Sequence, residues 1–284
     1  MNGPRILVID GNVAEIRARQ VAALGYDSGT GYARVLHRLD SSLRVDILTA
    51  ADGAVLPAGV ALESYDGVTI TGSALNIYHG GVPVIRQVDL AKAVFAAGVP
   101  FFGSCWGLQI AVTAAGGCVR ANPRGREFGF ARRVLLSDAG QQHALFAGKP
   151  VAFEAPTIHR DEIASLPAGA LALATNDFGI QAASFNHGRG TFWGVQYHPE
   201  YGYDDIAAAA ARYGQTLVTE GIFSNVAALE AFAGELRALQ ANPSDTTLLW
   251  KHGLGPAMRS EGLRLLEISN WLQANVLPHA ARRS

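Results

Sequence analysis

The first apolar run, RILVID (Arg5–Asp10), is stopped by Gly11 and reads as a buried parallel strand. From Val13 to Leu24 the spacing turns helical and ends at Gly25. VDILTA (Val45–Ala50) and GVTITG (Gly67–Gly72) are further short strands rich in β-branched residues. Ile85 to Ala97 reads as a helix stopped by Gly98. VPFFGS (Val99–Ser104) follows as a strand, then a second helix from Cys105 to about Ala115. Strands and helices alternating over short connections predict an α/β fold, with a mainly parallel open sheet flanked by helices.

After Gly117 the texture changes. EFGFARRVLL, VAFEAPTIH, ALALATN, GIQAASF and GTFWGVQYH crowd together between turn residues, which predicts added strands, some of them antiparallel hairpins. From Asp204 the pattern is helical and alanine-rich up to about Gln240, and ANPSD (Ala241–Asp245) breaks it. A last amphipathic stretch covers Gly262 to Val276. It sets Leu263, Leu266, Ile268, Trp271 and Leu272 along one side, with Arg264, Glu267 and Asn270 elsewhere. Such a stripe needs a cover, either the α/β core or another subunit. The chain is thus expected to divide into residues 1–203 and a helical C-terminal extension, 204–284, packed on that domain or at a homo-oligomer contact.

Composition narrows the function classes. With 49% hydrophobic and 17% charged residues over 284 positions, the chain can bury a large core. Its net charge of −1 argues against a nucleic-acid binder that works by bulk electrostatics. MNGPRILVIDGN runs directly into a strand, so neither a signal peptide nor a membrane span is expected. The two cysteines, Cys105 and Cys118, make no disulfide framework, and a cytoplasmic setting with reduced thiols is expected.

One of those cysteines sits in chemistry-bearing surroundings. Gly103-Ser104-Cys105-Trp106-Gly107 places a strand, a G-x-nucleophile-x-G turn and a helix in succession, the nucleophile-elbow pattern. The turn would expose Cys105 at the carboxyl end of the sheet, where a helix N-terminus favours its thiolate. The Trp106 amide would then donate to a developing oxyanion. The competing reading is a buried core thiol. A thiol nucleophile needs a base, and His198 closes the strand FWGVQYH with Glu200 two positions on. Residues i and i+2 of an extended segment point the same way, so Glu200 can orient the imidazole. Nucleophile, base and orienter are then Cys105, His198 and Glu200. A His-x-Glu pair also suits a metal, but no further ligand cluster accompanies it, and no metal is expected.

GSCWGLQ, GVQYHPE and VTITGSALN together resemble the class I, or triad-type, glutamine amidotransferases, and among them GMP synthase-like glutaminases. The resemblance runs from Ile6 to about Tyr201 and implies a flavodoxin-like architecture. It further implies hydrolysis of the side-chain amide of L-glutamine through a Cys105 thioester. The oxyanion would be held by Trp106 and a second amide at Gly72 or Ser73. Gln109 is implied as a substrate contact, and His159 is either a neighbour of that binding site or a structural residue. Ammonia would pass to a separate synthase or ligase subunit.

The alternatives are a stand-alone γ-glutamyl hydrolase or γ-glutamyl transferase and, with the triad intact, less readily a non-catalytic regulatory subunit. GTGY (Gly29–Tyr32) is too weak for a nucleotide site, and DGNVAE lacks the dinucleotide glycine pattern, so no cofactor is expected.

Overall fold

A computed structural model describes residues 3–283. Its strands are β1 (Arg5–Ile9), β2 (Arg44–Leu48), β3 (Gly67–Ile70), β4 (Phe101–Ser104), β5 (Cys118–Ala121), β6 (Glu127–Leu136), β7 (Ala152–His159), β8 (Asp161–Ser165), β9 (Leu171–Asn176), β10 (Gly179–His187) and β11 (Gly190–Val195). Among the described residues, nine of them form one sheet in the order β2-β1-β3-β4-β11-β10-β9-β6-β7, and β5 pairs with β8. The first five are mutually parallel, whereas the pairs from β11 outward to β7 are antiparallel.

The first seven α-helices are α1 (Ala14–Leu24), α2 (Ser28–Leu39), α3 (Val82–Ala97), α4 (Trp106–Ala114), α5 (Asp138–Gln142), α6 (Tyr203–Thr219) and α7 (Val226–Ala241). Strand β1 shows why the chain is layered. Ile6 and Val8 pack with Tyr32 and Val35 of α2 and with Trp271 and Val276 near the C-terminus. Leu7 and Ile9 pack with Val94 and Phe95 of α3 and with Leu108 and Ala111 of α4. Alternate side chains thus enter opposite layers, which is why Ile6 to Ile9 are all apolar. A third apolar cluster joins Phe130 of β6 to Ile206 of α6 and Leu236 and Leu239 of α7. No helix among the described residues is long and apolar enough to cross a membrane.

Four local differences from the sequence pattern have physical causes. Helix α2 lies between the first two predicted strands, where Tyr32, Val35 and Leu36 recur at helical spacing and are buried, behind two glycines in its first turn. Its start is set by Asp27, whose carboxylate accepts from the Thr30 amide at 2.8 Å. The alanine-rich run after Asp204 is two helices, with Asn225 capping the second, and α6 kinks at Gly214 (φ 35°, ψ −114°). Strand β11 ends at Val195, so His198 lies beyond it, in a turn closed by Tyr201 N–H donating to the His198 carbonyl at 3.1 Å.

The fourth difference concerns the terminal stripe. Ile268, Trp271, Leu272 and Val276 are buried against the sheet within the same chain. Glu267, expected on the polar side, is also fully buried. Lys149 Nζ lies 2.8 Å from it and the Tyr197 hydroxyl donates to it at 2.5 Å. A buried carboxylate is tolerated because a cation and a hydroxyl satisfy it.

Candidate active site

The site begins where β4 meets α4. Cys105 occupies φ 52°, ψ −101°, a left-handed conformation that L-residues adopt at a cost. Glycine permits the turn on both sides. A Cβ at Gly103 would fall 2.4 Å from the Gly107 carbonyl carbon, and one at Gly107 would fall 2.4 Å from the Ile70 carbonyl oxygen. Helix and strand therefore touch backbone to backbone, and Cys105 is held by its amide donating to Val195 of β11 at 2.7 Å. Its Sγ lies 3.7 Å from the Ile158 carbonyl, and the residue is only 4% exposed. Trp106 is the first residue of α4. Its indole is fixed by a 2.8 Å bond from Nε1 to Gln87 Oε1, leaving its amide among the orphan donors of the helix start.

Opposite Cys105 stands His198. Its amide donates to the Pro156 carbonyl at 2.8 Å, and its ring stacks on Tyr201 with centroids 4.0 Å apart and planes 3° from parallel. Its Nδ1 lies 2.7 Å from Glu200 Oε1, which leaves Nε2 as the nitrogen free for chemistry. Burial disfavours the imidazolium. The Glu200 charge and the Cys105 sulfur beside the ring outweigh burial and raise the His198 pKa to about 10. The second oxygen of Glu200 is buried without a hydrogen-bond partner among the described residues.

The loop after β3 closes the third side. A Cβ on Gly72 would lie 2.4 Å from His198 Cε1, so only glycine fits against the ring. Asn12 fixes this loop, donating to the Gly72 carbonyl at 3.2 Å and accepting from the Ala74 amide at 3.0 Å. Asn12 escaped the sequence reading; its signal is the short turn DGN that follows β1. Asp10 shapes that turn by accepting from the Asn12 and Gly29 amides, and burial raises its pKa.

Gly72, Ser73, Ile158 and His198 line a cleft of about 20 Å³ together with Tyr201, Arg212 and Tyr213. Arg212 and Tyr213 arrive from α6, immediately before its kink at Gly214. Nothing local in the sequence marks them, since it is the packing of α6 against the rest of the chain that brings them to the cleft. Cys105, Trp106, Glu200, Gln109 and His159 are not among the residues that line this cleft. Gln109 Nε2 donates to Gln196 Oε1 at 3.3 Å. The reading of His159 as a substrate neighbour meets a clear obstacle. Both its ring nitrogens are taken, at 2.8 Å each, by the Asp161 carbonyl and by Glu127 Oε2.

A parallel sheet with a strained cysteine elbow at its carboxyl edge, facing a carboxylate-paired histidine, defines an α/β protein built around a thiol and an imidazole. The chain belongs to the class I glutamine amidotransferase family, whose model matches residues 26–206. It is 36% identical over 282 residues to a γ-glutamyl-L-1-hydroxyisopropylamide hydrolase from a Pseudomonas species, covering 98% of this chain and 95% of that one. It is 28% identical over 179 residues to a glutamine-hydrolysing GMP synthase of Streptomyces coelicolor. That match takes in 61% of this chain and only 31% of the synthase. In fold it is similar to a glutamine amidotransferase from Methylobacillus flagellatus (TM-score 0.64, 17% identity, 97% and 95% coverage). A Thermotoga maritima glutamine amidotransferase is similar to the same degree (TM-score 0.63, 21% identity, 96% and 98% coverage).

Proposed function

We propose that this chain is a γ-glutamyl amide hydrolase that works through a Cys105 thioester and releases glutamate with ammonia or a small amine. The observation that carries the reading is the paired geometry of the elbow thiol and the His198–Glu200 couple, 2.7 Å apart at Nδ1 and Oε1. The Cys105 thiolate adds to the amide carbon, and the carbonyl oxygen takes the negative charge. The Trp106 amide and the Gly72–Ser73 backbone stabilise that charge as it forms. Collapse breaks the C–N bond while His198 gives its proton to the departing nitrogen. Water, losing a proton to His198, then attacks the thioester. The C–S bond breaks, and glutamate leaves with the thiolate restored. Glu200 keeps the imidazole oriented and stabilises its cation.

The acceptor divides two versions of this reading. The full-length likeness to a γ-glutamyl amide hydrolase includes the C-terminal helices, which supply Arg212 and Tyr213 to the cleft. The family model ends at residue 206, and the synthase likeness takes in only 61% of this chain. Water takes the glutamyl group in both versions, and the full-length likeness favours a self-sufficient hydrolase that releases its ammonia or amine over a glutaminase that passes ammonia to a separate synthase. Residues 204–284 then act as one wall of the site rather than as an independent unit. The purified chain alone should hydrolyse N-alkyl γ-glutamyl amides at least as well as L-glutamine, read as released amine and glutamate. Activity confined to glutamine and dependent on an added synthase would favour the ammonia-donor version.

A further inference from the structure

Beside the cleft at His198 lies a second, larger space. A cavity of about 480 Å³ opens between α1, α2, the start of α6 and the turns Pro256–Arg259 and Glu261–Arg264. That volume suits a small organic ligand. It adjoins the catalytic cleft, because Gln20, Gly72, Tyr201 and Arg212 line both.

Its charges are unevenly satisfied. Asp205 accepts from the Gly202 amide at 2.7 Å and from the Tyr26 hydroxyl at 2.8 Å, and Glu261 pairs with Arg38 at 3.1 Å. The arginines Arg212 and Arg264 fare differently. Each has a buried Nε with no hydrogen-bond partner among the described residues. The nearest carboxylate oxygen to Arg264 is Glu261 Oε1 at 3.7 Å, too far for a direct hydrogen bond. The Arg264 side chain is only 11% exposed, and burial lowers its pKa. Five carboxylates (Asp27, Glu200, Asp204, Asp205 and Glu261) and five arginines line the cavity; among these arginines, Arg212 and Arg264 have the buried, unpartnered Nε, and a guanidinium fork matches a carboxylate.

We propose that this cavity is the subsite for the amine half of the substrate, and that Arg212 and Arg264 select amines bearing a carboxylate, so that γ-glutamyl amino acids are preferred substrates. The inference rests on the γ-glutamyl amide reading above. His198 must stand beside the departing nitrogen to protonate it, and whatever that nitrogen carries extends past Arg212 into the cavity. Arg212 lines both cleft and cavity, so a carboxylate carried by the departing amine would meet it on the way from one to the other.

γ-Glutamylglycine and γ-glutamylethylamide are near-isosteres that differ in a carboxylate against a methyl group, so the pair tests the idea directly. The wild-type chain should show at least a tenfold higher kcat/KM for the glycine amide. Arg212→Met and Arg264→Met should each reduce that ratio severalfold, and Arg212→Lys should retain part of it. The Cys105→Ala chain should bind γ-glutamylglycine more tightly than the ethylamide by calorimetry, a readout independent of turnover. Equal kcat/KM for the two amides in the wild type would overturn the proposal. So would an Arg212→Met chain that lost both substrates in the same proportion, because Arg212 would then read the glutamyl half common to both. Hydrolysis of neither amide, with no binding by the Cys105→Ala chain, would overturn the γ-glutamyl reading itself.

Discussion

The backbone of Gly72 rests against the imidazole of His198, so closely that a Cβ there would sit 2.4 Å from Cε1. The loop that offers amides to the site therefore also acts as a stop for the ring that serves it. Asn12 holds that loop from behind, through one bond to a carbonyl and one from an amide. Orientation of His198 thus depends on three supports: Glu200 at Nδ1, Tyr201 across its face and Gly72 at its edge.

Gly72→Ala should push the ring off its support. A displacement of about 1 Å at a reacting group costs on the order of 100-fold in rate, and kcat/KM for glutamine or a γ-glutamyl amide should fall by about that much. Gly234→Ala is the control. A Cβ at that helical position meets nothing within 4 Å, so activity should be untouched and stability unchanged or slightly higher. Full activity in Gly72→Ala would show that the ring is not set by this contact.

Cys105 combines a strained backbone with the sulfur proposed to react. Cys105→Ala should abolish turnover while leaving the fold intact, whereas Cys118→Ala, at an exposed position, should behave as wild type. Cys105→Gly should be equally inactive yet melt higher than Cys105→Ala, because glycine adopts φ 52° without strain worth about 1 kcal/mol. Loss of activity on changing Cys118 rather than Cys105 would remove the elbow from the mechanism.

The His198–Glu200 pair carries a pH signature. The folded-state pKa of His198 is raised from 6.5 to about 10, so the imidazolium is bound more strongly in the folded chain than in the unfolded one. Its stabilising contribution is complete below pH 6.5 and is lost as pH rises through 10. The difference in melting temperature between wild type and His198→Asn should therefore shrink steadily across that interval. Glu200→Gln should narrow the difference at pH 6 and retain partial turnover, because an amide orients the ring without stabilising its charge. A gap that widened with pH would contradict the assigned sign.

Much of this site was legible in the chain because it is encoded locally. Gly103 and Gly107 flank Cys105 within five residues, and His198 and Glu200 are two apart, so spacing alone suggests their roles. The pairing of His198 with Glu200 nevertheless comes from a turn beyond β11, not from the strand itself. What stayed hidden is set by contacts between distant segments. Asn12 reaches a loop some sixty positions away, and Arg212 meets Gly72 and His198 in one cleft only once α6 has packed. The lateral bond of Gln109 to Gln196 and the double engagement of His159 likewise depend on strands that meet only in the folded sheet.

The last consequence concerns Glu267, which helical periodicity places among polar positions and the fold buries completely. It accepts from Tyr197, the residue before His198, and pairs with a Lys149 side chain that is itself 1% exposed. The terminal helices are thereby tied to the segment that carries His198. Glu267→Ala would leave Lys149 buried without a counter-charge, a change that costs about 3–5 kcal/mol. The melting temperature should fall by many degrees, and turnover should fall with it as Tyr197 loses its partner. Replacing both members, Lys149→Met with Glu267→Leu, should recover much of the stability, because two apolar side chains need no desolvation. It should not recover the full rate, since the tie between Tyr197 and the last helices remains broken. A Glu267→Ala chain as stable as wild type would show that the buried pair contributes nothing to the fold. A double variant with normal kcat would show that the bond to Tyr197 does not position His198.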